Sequence, residues 1–272
     1  MKSARRVSGV PVVILCGGKG TRIHEETEFR PKPLVQVGGK PILWHIMKIF
    51  AEAGVRDFIL CLGYKGDQIR RYFLEYELME SSLTIDFGSR RRRLTFHDRP
   101  PEDDWRITFV NTGLNANTGA RIKRIEPFVR SKRFFLTYGD GVANIDVRKL
   151  LDFHASHGRI ATVTGVRPAS RFGDLIVEGD AVTEFSEKRQ TRQGYINGGY
   201  FVLDRRVFDY LEDADSCMFE GPPLERLASD GELMMHRLHT FWHCLDTYRD
   251  KEALEDMWRR GTADWKVWSD RT

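Results

Sequence analysis

The stretch VPVVILCGGKGTR, Val10–Arg22, joins a short apolar run to a cluster of glycines. Residues Val10–Cys16 are apolar without alternation, which is typical of a strand buried on both faces of a parallel sheet. Gly17, Gly18 and Gly20 follow at once, and glycine is the residue that lets the backbone approach a phosphate closely in a tight turn. The stretch therefore predicts a buried strand that ends in a phosphate-binding loop.

The alternation of strands and helices continues after this loop. A helix is predicted in Ile42–Gly54, where apolar residues recur at helical spacing, with Pro41 before it and Gly54 closing it. A buried strand is predicted over Asp57–Leu62 and a second helix over Asp67–Glu80. Alternating strands and helices build a mostly parallel sheet with helices on both faces, so the predicted fold class is α/β and Rossmann-like.

The middle of the chain is richer in strand-like segments, which predict a mixed sheet edge or a small second sheet. Further strands are predicted over Leu83–Phe87, Leu94–His97, Arg106–Val110, Arg133–Thr137, Ile160–Val166 and Phe172–Val177. Further helices are predicted over Thr118–Val129, Val147–His157 and Arg249–Arg260. Ligands of such sheets bind at the carboxyl ends of strands, where the glycine loop and the YGDG sequence, Tyr138–Gly141, both lie.

The composition argues against several classes of protein. The 272 residues are 41% hydrophobic and 30% charged with a net charge of +4, a globular balance whose positive excess is too small to indicate nucleic-acid binding. No run approaches the roughly 18 apolar residues of a membrane span, and the N-terminus has no apolar signal core. The cysteines form no CxxC pair, so we expect reduced thiols and a cytoplasmic protein.

Two common phosphate-binding motifs do not fit the glycine loop. A Walker loop requires GxxxxGK[ST], but here Gly18-Lys19 is followed by Gly20, and the position five residues before Gly18 is Val13. The dinucleotide motif GxGxxG fits Gly18 and Gly20 but has Ile23 in place of its third glycine. The loop alone therefore does not identify the type of site.

The segment after the loop is more specific. RPKPLVQVGGKPILWHIM, Arg30–Met47, is basic and braced by three prolines. GGxGTR followed at short spacing by PKPLVxVGGKPIL resembles the sugar-phosphate nucleotidyltransferase family. The resemblance extends from about Val10 to Trp268 and includes TYGDGV (Thr137–Val142), FSEKR (Phe185–Arg189), INGGYFVL (Ile196–Leu203) and WHCLDTYRD (Trp242–Asp250).

This resemblance implies a fold and a reaction. The fold would be a single glycosyltransferase-A-like domain over residues 1–272, with a nucleotide-binding lobe at 10–145, a small β-rich sugar-phosphate lobe at 146–246, and a C-terminal helix and tail at 247–272. LWHIM, GYKG and NTGARIKR are most similar to family members that use CTP and glucose 1-phosphate. The implied reaction gives CDP-glucose and pyrophosphate, for deoxysugar and polysaccharide biosynthesis.

The resemblance also implies roles for individual residues. The catalytic residues would be Lys32, Arg22 and Asp140. The nucleotide would be bound by Leu15, Cys16, Gly17, Gly18, Gly20, Thr21, Arg22, Lys32, Thr112, Gly113, Arg121 and Gly139. The sugar phosphate would be bound by Glu187, Lys188, Asn197 and Gly198. Asp140 and Asp246 would hold Mg²⁺, which takes carboxylate and phosphate oxygens.

Other interpretations stay open at this point. The chain could use another sugar phosphate or nucleotide, or be a nucleotide-binding sensor without catalysis. Asp140 could be a turn former, Asp246 could cap the helix Arg249–Arg260, and Lys188 could lie on a solvated surface. The family pattern EKP is also EKR here, with Arg189 in place of proline, which restrains the backbone less.

Two other clusters resemble, in composition alone, a metal site and a nucleic-acid-binding segment. His236, His239 and His243 have the spacing of metal ligands on a helix, but no acidic or cysteine partner has the spacing of a zinc site. The run Arg90–Arg93 has no interleaved aromatic residues, so we expect it to bind no nucleic acid.

Three tryptophans crowd the C-terminal segment: Trp258, Trp265 and Trp268. Large apolar side chains in such number are not left in water, so they are predicted to pack on the body of the protein or on a neighbouring subunit. The family resemblance implies a homo-oligomer.

Overall fold

The computed structural model describes residues 7–88, 93–167, 174–178, 181–186 and 194–269. Its strands are β1 Val12–Leu15, β2 Gln36–Val37, β3 Lys40–Pro41, β4 Asp57–Leu62, β5 Leu83–Asp86, β6 Arg93–Phe96, β7 Arg106–Asn111, β8 Arg133–Tyr138, β9 Gly141–Ala143, β10 Ala161–Val166, β11 Asp174–Glu178, β12 Ala181–Ser186, β13 Ile196–Asp204, β14 Leu233–Leu238 and β15 Trp242–Cys244. Its α-helices are α1 His24–Thr27, α2 Ile42–Glu52, α3 Gly66–Leu74, α4 Tyr76–Glu80, α5 Thr118–Arg124, α6 Val147–His157, α7 Pro222–Ser229 and α8 Tyr248–Arg259. None of these helices is long and apolar enough to cross a membrane.

A seven-stranded sheet forms the centre of the fold, in the order β14-β10-β13-β8-β1-β4-β7. β1 is parallel to both β4 and β8, β4 is parallel to β7, and β10 is parallel to β14. β13 runs antiparallel between β8 and β10. The predicted mostly parallel sheet is confirmed. Its antiparallel strand is internal rather than at an edge, and the β-rich region also forms the predicted kind of small second sheet, as β5–β6 and β11–β12. No helix lies between β10 and β13 among the described residues, and antiparallel neighbours need no helical crossover.

Each side chain of β1 packs into one of two cores. Val12 and Ile14 belong to the core on one face of the sheet, and Val13 and Leu15 to the core on the other. All four residues are buried. This two-sided burial explains why the run has no polar alternation.

Helix α2 follows the predicted start and stop signals. Pro41 is the residue before its first turn, and Gly54, just beyond its end, has a φ of +104°. The predicted helix over Asp67–Glu80 is instead α3 and α4, with Glu75 between them. The predicted helix over Thr118–Val129 stops at Arg124, and a 3₁₀ turn containing Pro127 follows, because proline cannot donate a helical hydrogen bond.

The C-terminal tail packs on the body of its own chain, the first of the two predicted alternatives. Trp265 is fully buried, and Trp268 is buried beside Trp44 of α2. His45 lies between these rings, where Trp265 Nε1 donates to its Nδ1 at 3.4 Å and its Nε2 donates to the carbonyl of Val37 at 2.8 Å. Burial lowers the pKa of His45 to about 4, so the ring is neutral.

Candidate active site

A cleft of about 340 Å³ opens at the carboxyl ends of β1 and β8. In the sheet, β1 lies between β4, the next strand of the sheet along the chain, and β8, which comes later in the sequence. The cleft therefore lies where the strand order reverses. Its walls are formed by Leu15, Cys16, Gly17, Gly18, Gly20, Thr21, Arg22, Lys32, Pro33, Ala116, Asn117, Thr118, Arg121, Tyr138, Gly139 and Asp140. The volume is within the range of small-molecule sites.

The three glycines of the loop are required for different reasons. A Cβ on Gly17 would lie 2.2 Å from Nη1 of Arg121, and Gly20 has a φ of +64°. Gly18 has neither constraint, since a Cβ built there meets no atom within 4 Å. Packing against Arg121 therefore accounts for Gly17 and the positive φ for Gly20, whereas the space beside Gly18 is open to a ligand.

Arg121 ties the glycine loop to the ends of the neighbouring strands. The side chain is buried; its Nη2 donates to the carbonyl of Gly17 at 3.0 Å, and its Nη1 donates to the carbonyl of Gly113 at 2.7 Å and to Oγ1 of Thr112 at 2.8 Å. Thr112 in turn donates to the carbonyl of Leu62 at 2.8 Å. Thr112 and Gly113 are not among the residues that form the cleft walls. Both residues accept hydrogen bonds from Arg121 in the structure. Their predicted contact with the nucleotide stays a prediction.

Lys32 joins both predicted metal carboxylates. Its Nζ lies 2.7 Å from Oδ2 of Asp140 and 2.7 Å from Oδ1 of Asp246, and Nη1 of Arg22 lies 2.6 Å from Oδ2 of Asp246. Burial lowers the pKa of Lys32, but the charge of Asp140 and the hydrogen bonds to both aspartates outweigh this, so the pKa is raised. Lys32 is therefore a charged ammonium although only 7% of it is exposed.

Strand pairing brings the two aspartates together across the sequence. β9 and β15 are antiparallel, with Cys244 opposite Gly141. The next residues along, Asp140 and Leu245, are also paired, since the Leu245 N–H donates to the Asp140 carbonyl at 2.8 Å. Asp246 is thereby directed to the same place. It is not the cap of the following helix, because the N-cap of α8 is Thr247.

Cys244 completes this cluster, and the sequence reasoning missed it. Asp140, Cys244 and Asp246 each offer a donor atom, and these atoms all lie within 4.8 Å of one another. Burial raises the pKa of the Cys244 thiol above its ordinary value, so the sulfur is neutral. The two carboxylate oxygens suit Mg²⁺, and the ammonium of Lys32 between them shows that this position favours positive charge. The residues present fit a magnesium ion.

The predicted sugar-phosphate residues are only partly described. Asn197 lies at the start of β13, where its Nδ2 donates to the hydroxyl of Tyr138 at 3.3 Å. The carbonyl of Gly198 accepts from Nε1 of Trp242 at 2.7 Å. Asn197 adjoins the cleft through Tyr138, which lines it. Glu187 and Lys188 lie outside the described residues, as do residues 90–92 of the arginine run.

Several cleft residues were not predicted. Thr118 and Tyr138 approach the cleft from α5 and β8, and the hydroxyls of both donate to the carboxylate of Glu220. Asn117 and Pro33 also line the cleft. The available signals were the NTGAR motif, which begins at Asn117, and the strand end that precedes Asp140.

The three spaced histidines do not form a metal site in the described part of the chain. His236 is in β14, His243 is in β15, and His239 lies between these strands. The group of candidate metal ligands found among the described residues contains none of them.

The chain is similar to a known protein family and to individual proteins of named activity. The family model described as Nucleotidyl transferase matches residues 11–270. The chain is 48% identical over 256 residues to a probable glucose-1-phosphate cytidylyltransferase of Bacillus subtilis, covering 94% of this chain and 99% of that protein. It is 46% identical to a glucose-1-phosphate cytidylyltransferase of Salmonella typhi, covering 94% and 98%.

A solved structure supports the fold. The crystal structure of a putative glucose-1-phosphate thymidylyltransferase from Bacillus anthracis aligns with a TM-score of 0.69 at 17% identity, covering 97% of this chain and 98% of that one. At that identity the likeness concerns the fold alone. Family membership is shown by the family model, which matches nearly the whole chain. This protein belongs to the nucleotidyl transferase family.

Proposed function

We propose that this protein is a glucose-1-phosphate cytidylyltransferase, which converts CTP and glucose 1-phosphate to CDP-glucose and pyrophosphate. The observation that carries the choice of substrates is the 48% identity, over nearly the full length of both chains, to a relative with that name. The site supports the chemistry, because a glycine loop, two cations and two carboxylates converge on one cleft.

In the proposed reaction a phosphate oxygen of the sugar phosphate attacks the α-phosphorus of CTP. A bond forms between that oxygen and the phosphorus, and the bond from the α-phosphorus to the bridging oxygen of pyrophosphate breaks with its electron pair. Such a transfer needs positioning and stabilisation of negative charge more than covalent help. Lys32 and Arg22 are the cations placed for this, since both lie on the cleft wall, whereas Arg121, which also lines the cleft, is bonded to the carbonyls of Gly17 and Gly113.

The two side chains would act on different parts of the nucleotide. Lys32 is buried and held from both sides by carboxylates, so we assign it to the α-phosphate, where charge grows. Arg22 has 73% of its side chain exposed and a planar fork that suits the β- and γ-phosphates. Gly18 would offer its backbone, because nothing obstructs approach to it.

Asp140 and Asp246 would hold Mg²⁺ in the loaded enzyme. When bound, the ion would neutralise phosphate charge. Both carboxylates are bonded to Lys32 in this structure. A Lys32 ammonium that leaves either of them would be free for the phosphate.

The partners and the location of the protein belong to the same proposal. We propose a cytoplasmic homo-oligomer that binds no nucleic acid. Because Trp265 and Trp268 are buried in their own chain, we look for the subunit contact elsewhere, at exposed apolar residues such as Leu74 of α3, Met79 of α4 and Phe87 beside β5. Sedimentation velocity of the full chain would test this, and a monomer at all concentrations would overturn it.

The reaction is tested by pyrophosphate release with Mg²⁺ and glucose 1-phosphate, run in parallel with CTP, UTP, dTTP and ATP. Release with CTP and not with the others is the expected result. Release with a different nucleotide would keep the chemistry and overturn the base assignment. If no nucleotide releases pyrophosphate, two interpretations remain: the enzyme uses another sugar phosphate, or the protein binds nucleotides without catalysis.

A further inference from the structure

Helix α8 contacts the candidate site at several points. It begins two residues after Asp246, and its residues Asp250, Lys251 and Glu255 bond to Asp246, Glu26 and Gly38 respectively. Trp258, one turn further along, packs over the turn at Gly38.

Asp250 holds the backbone that carries Asp246. Its Oδ2 accepts from the N–H of Asp246 at 3.1 Å, from the N–H of Thr247 at 2.7 Å and from the hydroxyl of Thr247 at 2.8 Å. Its Oδ1 lies 3.3 Å from Nε2 of His243. The contacts with Thr247 belong to the helix cap, and the contact with His243 joins a neighbouring strand. The contact with the Asp246 N–H differs, because it holds the residue whose carboxylate bonds Lys32 and Arg22.

Glu255 and Lys251 hold the segment that carries Lys32. Lys251 forms an ion pair with Glu26, six residues before Lys32. Glu255 Oε2 accepts from the N–H of Gly38 at 2.8 Å, six residues after Lys32. Gly38 has a φ of +58°, and a Cβ there would lie 2.0 Å from Nε1 of Trp258, so this turn can approach the helix only as glycine.

We propose that α8 is a strut for the reacting groups, in which Asp250 is a positioning residue for Asp246 and Glu255 is a positioning residue for Lys32. The inference rests on the proposed function, since it concerns the assigned metal carboxylate and lysine. Neither Asp250 nor Glu255 contributes to the cleft wall. Their effect on the reaction therefore passes through the backbone of the residues they hold.

Removing the Asp250 carboxylate should weaken metal binding. Groups that orient a metal ligand typically change metal affinity by about ten- to a hundredfold when they are removed. Asp250→Ala should show a loss of this size, whereas Asp250→Asn keeps an oxygen to accept from the Asp246 N–H and should restore most of the affinity.

Metal binding is measured on the full-length protein with Mn²⁺ as the probe, from the electron paramagnetic resonance signal of the free ion, with and without CTP. Thr247→Ala is the matched control, because it removes the helix-cap hydroxyl but leaves Asp250 bonded to the Asp246 N–H. Asp256→Ala is a second control on the same helix, since Asp256 pairs only with Arg259 and Arg260 among the contacts described. Thermal unfolding of every variant reports the loss of stability separately.

The expected result is that Asp250→Ala weakens Mn²⁺ binding while Thr247→Ala lowers the melting temperature and leaves Mn²⁺ binding unchanged. If both variants weaken Mn²⁺ binding in proportion to their melting temperatures, Asp250 is a cap alone and the inference is wrong. If the wild-type protein binds no Mn²⁺ and releases no pyrophosphate, the proposed function falls, and this inference falls with it.

Variants of Glu255 test the second half of the proposal independently of Asp250. Glu255→Ala should lower kcat and leave KM for CTP unchanged, because a displaced Lys32 loses contact with the charge that grows during transfer. Glu255→Gln keeps an oxygen for the Gly38 N–H and should retain kcat. Equal kcat values for the wild type and Glu255→Ala would overturn the role of Glu255.

Discussion

Two clefts of similar volume, both formed by described residues, have walls that differ in kind. The active-site cleft measures about 340 Å³, and a second one, here called the tryptophan cleft, measures about 270 Å³ and is lined by Trp44, Trp105 and Trp268 among others. Both contain lysines and carboxylates. Four glycines line the first at the ends of parallel strands, whereas no glycine lines the second.

The polar groups of the tryptophan cleft are used within the fold. The buried carboxylate of Glu102 accepts from Nζ of Lys48 at 2.9 Å and from the hydroxyl of Tyr76 at 2.9 Å, and Tyr76 accepts from Nε1 of Trp44 at 2.9 Å. In the active-site cleft the backbone beside Gly18 is unobstructed. Volume and charge therefore do not distinguish the active-site cleft from the tryptophan cleft. The accessible backbone in the wall of the active-site cleft does distinguish it.

The largest effect is expected at the lysine of the active-site cleft. Lys32→Ala should lower kcat by about a hundredfold to a thousandfold, the usual cost of removing a group that stabilises transition-state charge. Pyrophosphate release under saturating substrates measures it. Lys48→Ala, the equivalent change in the tryptophan cleft, should leave kcat unchanged, and a comparable loss there would erase the distinction between the clefts.

The same Lys48→Ala variant should instead lose stability. It leaves the buried carboxylate of Glu102 without its cation, which costs about 3 kcal/mol in the free energy of unfolding. Urea denaturation measures this loss. The double variant Lys48→Met with Glu102→Leu removes both charges and should recover most of the stability; failure to do so would mean that the pair stabilises through more than mutual compensation.

A smaller effect concerns pH. The folded-state pKa of His45 is lowered to about 4 by burial, whereas an unfolded histidine titrates near about 6.5. Between these values the unfolded chain binds a proton that the fold excludes, so the free energy of unfolding falls as pH falls through this window and is flat above it. The difference between pH 7.5 and pH 5 should be about 2 kcal/mol from this residue.

Urea denaturation of the wild type and of His45→Gln at the two pH values isolates this contribution. His154, whose pKa is also lowered by burial to about 4, is present in both proteins and cancels. The pH dependence should be smaller in the variant. An equal pH dependence would show that His45 accepts a proton in the fold.

The smallest effect is expected within the glycine loop. Gly18→Ala meets no atom and requires no unusual φ, so stability should change by less than about 0.5 kcal/mol while KM for CTP rises. Gly17→Ala, its matched control, would press a methyl group into Arg121 and should unfold more easily. Equal losses of stability in the two variants would contradict the assignment of Gly18 to the ligand.

Local pattern predicted most of the fold. β1, β4, α2 and α6 lie where periodicity and the proline and glycine signals put them, because each packs a regular apolar face. The internal antiparallel β13 was not predicted, since its pairing with β8 is a tertiary contact that no local pattern reveals. The break at Glu75 was not predicted either.

The site was predicted through motif order rather than through geometry. Lys32, Asp140 and Asp246 were named from three separate motifs, and the structure brings them into contact. Cys244 was missed because its position depends on the register between β9 and β15, which no local pattern reveals. Asp250 was missed as a positioning residue for a similar reason: LDTYRD predicts a helix start but not what the capping carboxylate holds.

The antiparallel pairing of β9 with β15 has a consequence for the nascent chain. Asp140 is synthesised early, but its partner Asp246 and the strand that places it come from near the other end of the sequence. At a translation rate of about 5–20 residues per second, the first aspartate waits on the order of ten seconds for the second. A chain interrupted before Trp242 would keep the glycine loop and its lysine yet have no complete carboxylate pair, so fragments released early in synthesis would be inert toward sugar phosphates.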